Sequence, residues 1–298
     1  MKKPIILLLS LALILTFTPG CSSQQQQVQQ GNTIKDSLGR EIAIEQYPEK
    51  IISVAPAITE ILFALGLDKK IIGVSDYCDY PEQAKVKEKM GSFKTPNVEL
   101  ILSKQPDMVF MSAGVQEDVM RKLEEMNVKV VVLDADTIEQ VIADIELAGL
   151  ITGTDDKALE IASDMKARMK AITGKVKDLP KPKVFVEIWD DPLMSAGSAS
   201  FVNNIIELAG GINVAADNSE RYYTFSSEKL LELNPDFYII NTHSHTPQDI
   251  KTRAGYDALR AIQNNNVFAI EDNLISRAGP RVIEGLEQMA KILHPEAF

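Results

Sequence analysis

Two similar α/β lobes with mainly parallel sheets, joined by one long helix, are the fold the sequence predicts. Three observations predict it. Short β-branched runs alternate with helical periodicities through both halves of the 298-residue chain, which is the pattern of α/β units around parallel strands. Between the halves, DDKALEIASDMKARMKAITGKVKD (residues 155–178) sets Ala158, Ile161, Ala162, Met165, Met169, Ile172 and Val176 at three- and four-residue steps. Those residues share one face of a helix whose opposite face is charged. Finally, ELILSKQPDMVF from Glu99 and EKLLELNPDFYI from Glu228 repeat one pattern. In each a Glu opens a helical turn, Pro-Asp follows at the same distance, and a strand begins.

The elements follow in order. Residues 1–20 read as an export signal: Lys2 and Lys3, then an apolar run from Ile5 to Phe17, too short to span a membrane comfortably. Gly20 before Cys21 predicts lipidation of that cysteine, although Thr18 is unusual there, and residues 21–34, rich in Gln and Ser, read as a flexible tether. The first lobe occupies residues 35–153. It has strands from Lys50, Ile71, Asp107 and Lys129, and helices from Thr59 (after Pro56 stops the first strand), Val98, Glu117 and Thr137. The interlobe helix and its exit take residues 154–180, capped by Thr154 or Asp155 and closed by Pro180 and Pro182. As a helix it spans roughly 35 Å. The second lobe, residues 181–298, has strands from Lys183, Asp236 and Asn266, and helices from Phe201, Ser227, Tyr256 and Arg281.

The composition excludes several functions. The chain is 45% hydrophobic and 24% charged, ample for a core, and its formal charge is −11, which argues against a nucleic-acid partner held by charge. Two cysteines, Cys21 and Cys78, build no disulfide framework. Three histidines, His243, His245 and His294, argue against a His-rich metal site. No P-loop, dinucleotide fingerprint, G-x-S-x-G elbow or H-E-x-x-H motif is present. No catalytic residue, catalytic cofactor or resident metal is therefore expected.

Ligands of open α/β sheets bind beyond the carboxyl ends of the strands. The candidate ligand residues there are Tyr77, Asp79, Tyr80, Phe93 and Ser112 in the first half. In the second they are Trp189, Asp190, Asp191, Tyr222, Tyr223, Asp272, Asn273 and Arg277. Aromatics on both jaws of a cleft suit a large flat ligand; core packing is the competing reading of each. Tyr77 and Tyr80 could be phenolate ligands of a ferric centre, and His243 and His245 could ligate a metal, although a Thr-His-Ser-His loop end is more often simply solvated. Glu99 and Glu228 each stand in a first helical turn, where a carboxylate suits the helix dipole. Their equivalent placement also gives each lobe one acidic knob for a basic partner.

The stretches ISVAPAITEILFALG, VSDYCDYPEQA, NVE with Pro106-Asp107, MSAGSASFVNNIIELAGG and Arg277-AGPR together resemble the substrate-binding proteins of ABC importers of the rigid interlobe-helix class, from about Asp36 to the C-terminus. The Tyr-x-Asp-Tyr-Pro loop and the Arg-Ala-x-Pro-Arg segment look most like the vitamin B12-binding members. The resemblance implies the class III periplasmic-binding-protein fold, with cobalamin as transported ligand and haem or a ferric siderophore as the alternative. It implies a lipid-anchored monomer on the outer face of the cytoplasmic membrane, serving a permease dimer with ATPase subunits. It also implies that Tyr77 is the motif tyrosine, that Phe93 falls where the family can carry Trp, and that Tyr222 and Asp272 or Asn273 lie near ligand contacts. Glu99 and Glu228 match the glutamates that meet permease arginines. Ser112 and Leu274 depart from the pattern, replacing large aromatics. An exported hydrolase using Ser198 is the distant alternative.

Overall fold

The computed structural model describes residues 32–242 and 245–298. The export signal, most of the tether, Cys21 and His243 lie outside the described residues.

In the first lobe the strands Ile71–Val74, Ile51–Ser53, Met108–Met111 and Val130–Val132 lie side by side in that order, every pair parallel. Residues 51–53, 108–111 and 130–132 are all buried, as expected when helices cover both faces of a parallel sheet. Strand alternation divides these residues between two cores. Ile51, Phe110 and Val131 face one; Ile52, Val109 and Val132 face the other. The helix after the first strand begins at Pro56, earlier than Thr59. A proline at the first helical position loses no hydrogen bond, so Pro56 starts the helix rather than separating it from the strand.

The repeat has a structural cause. Asp107 N–H donates to the Lys50 carbonyl (2.9 Å), and the Asp107 carboxylate accepts from the backbone N–H of Glu49 and Lys50 (2.8 Å each). In the second lobe Asp236 N–H donates to the Lys183 carbonyl (2.8 Å) and its carboxylate accepts from Lys183 N–H (2.8 Å). Each Pro-Asp therefore fastens the entry of its own strand to the entry of the parallel strand beside it.

The second sheet departs from a simple copy of the first. Lys183–Asp190, Phe237–Asn241 and Val267–Ile270 are parallel neighbours. After Trp189 the chain turns back at Asp191-Pro192, and Leu193–Ala196 runs antiparallel to Lys183–Asp190; Tyr222–Thr224 runs antiparallel to it in turn. The hairpin Asn32–Lys35/Glu41–Ile44 and the short helices Glu82–Lys85, Pro247–Lys251 and Asp272–Ser276 also lie outside the expected elements.

The interlobe helix is Asp155–Val176. Thr154 precedes it without a side-chain capping bond. Gly153, left-handed at φ 72, ends the preceding helix Ile138–Thr152, and the two helices then pack so tightly that a Cβ on Gly149 would stand 2.3 Å from the Cβ of Ala158. Ala158, Ala162, Met165, Ile172 and Val176 belong to a core that also contains Ile51 and Phe110 of the first lobe and Val184, Ile205 and Ile239 of the second. One continuous core thus runs through both lobes and the helix. That packing resists hinge motion, because close-packed interiors deform little.

Candidate ligand cleft

A cleft of about 750 Å³ opens between the lobes. Its first-lobe wall comes from the carboxyl ends of the strands: residues 55–58 after the first, Tyr77 after the second, and Ser112 and Ala113 after the third. Phe93 and Lys94 complete that side, while Phe201, Arg221, Tyr222 and Arg277 form the facing wall. Of the residues expected at the ligand, the cleft gathers Tyr77, Phe93, Ser112, Tyr222 and Arg277. Tyr77 is 62% exposed, so its ring is presented to the opening.

Other expected ligand residues sit elsewhere, for physical reasons. Tyr223 is next to Tyr222 in a strand, and alternation turns it to the opposite face, where its hydroxyl donates to the Ala215 carbonyl (2.8 Å) and its ring packs near Phe225. Trp189 pairs with Met194 in the hairpin, and its Nε1–H donates to the Asp191 carbonyl (3.0 Å), outside the cleft lining. Asp190, beside it, contacts His245 (2.9 Å). Asp272 and Asn273 form the first turn of Asp272–Ser276; that helix delivers Ser276 and Arg277 to the cleft in their place. Asp79 is taken up by Arg277 (2.6 Å), and Tyr80 lies beneath the Arg281 guanidinium (3.8 Å to the ring centre).

Gln116 organises the first-lobe wall and carried no signal in the sequence. It is fully buried. Its Oε1 accepts from Ser112 N–H (2.9 Å), and its Nε2–H groups donate to the carbonyls of Val54 (3.0 Å) and Phe93 (2.6 Å). One amide therefore ties together three loops that carry cleft residues. A glutamine just before a helix reads as solvated until the loops around it are placed. Phe201 was likewise unexpected at the site, since it reads only as the first apolar residue of its helix.

Ion pairs cross between the lobes. Arg221 reaches Asp134 (3.0 Å) and Asp136 (2.8 Å). Arg277 reaches Glu60 (3.1 Å) and Asp79, and Arg281 holds Glu60 through two bonds (2.7 and 2.8 Å). Burial tends to raise the Asp79 carboxyl, but the hydrogen bond and charge of Arg277 outweigh it, leaving Asp79 below its usual pKa. Burial pushes the Tyr222 hydroxyl above its usual range, against the opposing charge of Arg221.

Asp144 also lines the cleft and is 7% exposed. Burial raises its pKa to about 6, with the Asp134 and Asp36 charges adding and the Ser37 hydrogen bond (2.6 Å) opposing. The folded-state value exceeds the unfolded one, so the carboxylate carries a folding cost. That cost is absent below pH 3.8, grows toward pH 6 and is complete above it. Asp144→Asn keeps an acceptor for Ser37 and removes the charge. Thermal melts should show the variant more stable than the parent at pH 7.5, by about 1–3 kcal/mol, and equal to it near pH 3.5. A pH-independent difference would contradict this account.

The chain's match to known proteins fits this architecture. Residues 51–274 match the family model described as periplasmic binding protein. The chain belongs to the periplasmic binding protein family. It is 32% identical, over 89% of its length and 86% of the relative's, to the uncharacterized ABC transporter substrate-binding lipoprotein YvrC of Bacillus subtilis. The crystal structure of the periplasmic vitamin B12-binding protein BtuF of Vibrio cholerae superposes with a TM-score of 0.76 at 27% identity, covering 83% of this chain and 97% of that one. A possible iron-binding periplasmic solute-binding protein from Staphylococcus epidermidis superposes at 0.74 with 28% identity, covering 84% and 100%. This periplasmic binding protein is therefore a substrate-binding component of an ABC importer of the B12, haem and siderophore class, with the class III fold. Among the described residues no helix is long and apolar enough to cross a membrane, and no group of three His, Cys, Asp or Glu side chains could hold a metal ion. The Ser198 hydroxyl donates to the Asn218 carbonyl (3.1 Å) rather than to an imidazole.

Proposed function

We propose that the chain captures a corrinoid outside the cell membrane and delivers it to an ABC permease, with no chemistry of its own. The observation that carries the reading is the cleft. It is large, walled by Tyr77 and Phe93 on one side and Tyr222 and Phe201 on the other, and most of its charges are already paired within the protein. Such a lining suits a broad, amide-rich ligand better than one bearing several carboxylates or catecholates, which calls for several free cations. The likeness to vitamin B12-binding proteins supports the same ligand. Lipidation at Cys21 would hold the protein at the membrane surface, as the name of the Bacillus subtilis relative supports.

The alternative is an iron ligand, favoured by the similarity to a possible iron-binding protein and by the exposure of Tyr77 at the cleft. Titrating the purified chain with cyanocobalamin and, separately, with haemin tests the choice. Corrinoid binding is expected. A shifted Soret band with haemin and no response to cyanocobalamin would move the assignment to iron.

Glu99 and Glu228 support the delivery half of the proposal. Each is exposed and stands second in its helix, behind a capping side chain: Asn97 accepts from Leu100 N–H (3.0 Å) and Ser226 from Lys229 N–H (3.3 Å). Neither glutamate has a hydrogen-bond or ion-pair partner among the described residues. Both are free to dock on basic groups of a permease.

A further inference from the structure

Six charged side chains line the cleft: Lys94, Asp134, Asp136, Asp144, Arg221 and Arg277. Five are satisfied from within the protein. Arg221 is shared by Asp134 and Asp136, Arg277 is held by Asp79 and Glu60, and Asp144 accepts from Ser37. Lys94 is the exception: it is exposed, and among the described residues it has neither hydrogen bond nor ion pair. Its loop is nonetheless fixed. The Ser92 and Thr95 hydroxyls lie 2.9 Å apart, Thr95 N–H donates to Ser92 Oγ (3.0 Å), and the Phe93 carbonyl is anchored by buried Gln116. A single ammonium without a counter-charge, held on a rigid loop beside an aromatic wall, is a seat for one oxyanion.

Resting on the reading of the cleft as a corrinoid site, we infer that Lys94 binds the phosphodiester of the corrinoid's nucleotide loop. The amides around a corrin ring are neutral, and the phosphodiester is the group of the complete molecule that keeps a negative charge at every physiological pH. One free cation matches one such charge. The protein should therefore prefer complete corrinoids to those lacking the nucleotide loop, and part of that preference should be electrostatic.

The test compares cyanocobalamin with dicyanocobinamide, which lacks the phosphodiester, on the full-length protein in detergent. At low salt the parent should bind cyanocobalamin more tightly by about fivefold or more, the size expected of a charge-assisted contact at a partly exposed site. That advantage should shrink as salt screens it. Lys94→Met should weaken cyanocobalamin about fivefold, leave dicyanocobinamide unchanged and flatten the salt dependence, whereas Lys94→Arg should keep the preference. Equal weakening of both ligands by Lys94→Met, or no change in either, would overturn the inference and leave the corrinoid reading standing. Failure of the parent to bind either corrinoid would overturn both.

Discussion

Reversing the charge at Glu99 and Glu228 together is expected to abolish ligand uptake while leaving ligand affinity unchanged. The two carboxylates occupy equivalent positions on the two lobes, away from the cleft lining, and each is exposed at the first turn of its helix. Charged pairs at such a contact steer association and fix register. A Glu→Arg change on each lobe converts two attractions into two repulsions against a basic partner, a penalty of several kcal/mol and roughly a hundredfold or greater loss of docking. Uptake by cells carrying the double variant, measured beside calorimetric affinity of the purified protein, separates the roles. A parallel loss of affinity would show that the substitutions disturb the lobes themselves. Uptake at the parent rate would remove the glutamates from docking.

The second large effect is expected at Glu60. This side chain is 3% exposed on Pro56–Ala64 and receives the guanidinium groups of both Arg277 and Arg281 from the other lobe. The arginine side chains are each only 14% exposed. Glu60→Ala leaves two largely buried cations short of a counter-charge, a class of change that costs about 3–5 kcal/mol. Asp79 still contacts Arg277, and Tyr80 still stacks on Arg281, which places the expectation near the lower end. Glu60→Gln, which keeps an oxygen acceptor but not the charge, should fall between parent and alanine variant. Urea denaturation read by circular dichroism gives the difference directly. A loss under about 1 kcal/mol would mean that the bridge behaves as a solvated surface pair.

Much of this architecture is legible in the sequence because it rests on local signals. The helix Asp155–Val176 follows from the spacing of Ala158, Ala162, Met165, Ile172 and Val176, the residues it buries. The parallel strands follow from β-branched runs such as VVV at 130–132. The Pro-Asp repeat marks equivalent strand entries because Asp107 and Asp236 each bond both the N–H and the carbonyl of the first residue of the neighbouring parallel strand's entry, Lys50 and Lys183. What was missed depends on pairing across long distances. Leu193–Ala196 is a short strand held by its hairpin with Lys183–Asp190, Tyr222–Thr224 is held in turn by Leu193–Ala196, and the hairpin keeps Trp189 out of the cleft lining. Residue type alone does not separate Tyr222 from Tyr223; side-chain alternation along their strand puts Tyr222 at the cleft and Tyr223 on the opposite face.

The cleft shows the same division. Tyr77, Phe93, Ser112, Tyr222 and Arg277 were identified by residue type and place, and the fold brings them to one opening. Gln116 and Glu60, which hold the walls in position, were invisible: their partners lie 23 and 62 residues away in one case, 217 and 221 in the other. Charge compensation is a property of the assembled cleft. Arg221 reads as an exposed loop cation until Asp134 and Asp136 are found against it.

The central claim is that the cleft takes one corrinoid, and calorimetric titration of the purified protein with cyanocobalamin, run beside haemin, tests it most directly. The account predicts saturable one-to-one binding of cyanocobalamin and none of haemin. Silence with cyanocobalamin together with one-to-one haemin binding would contradict it.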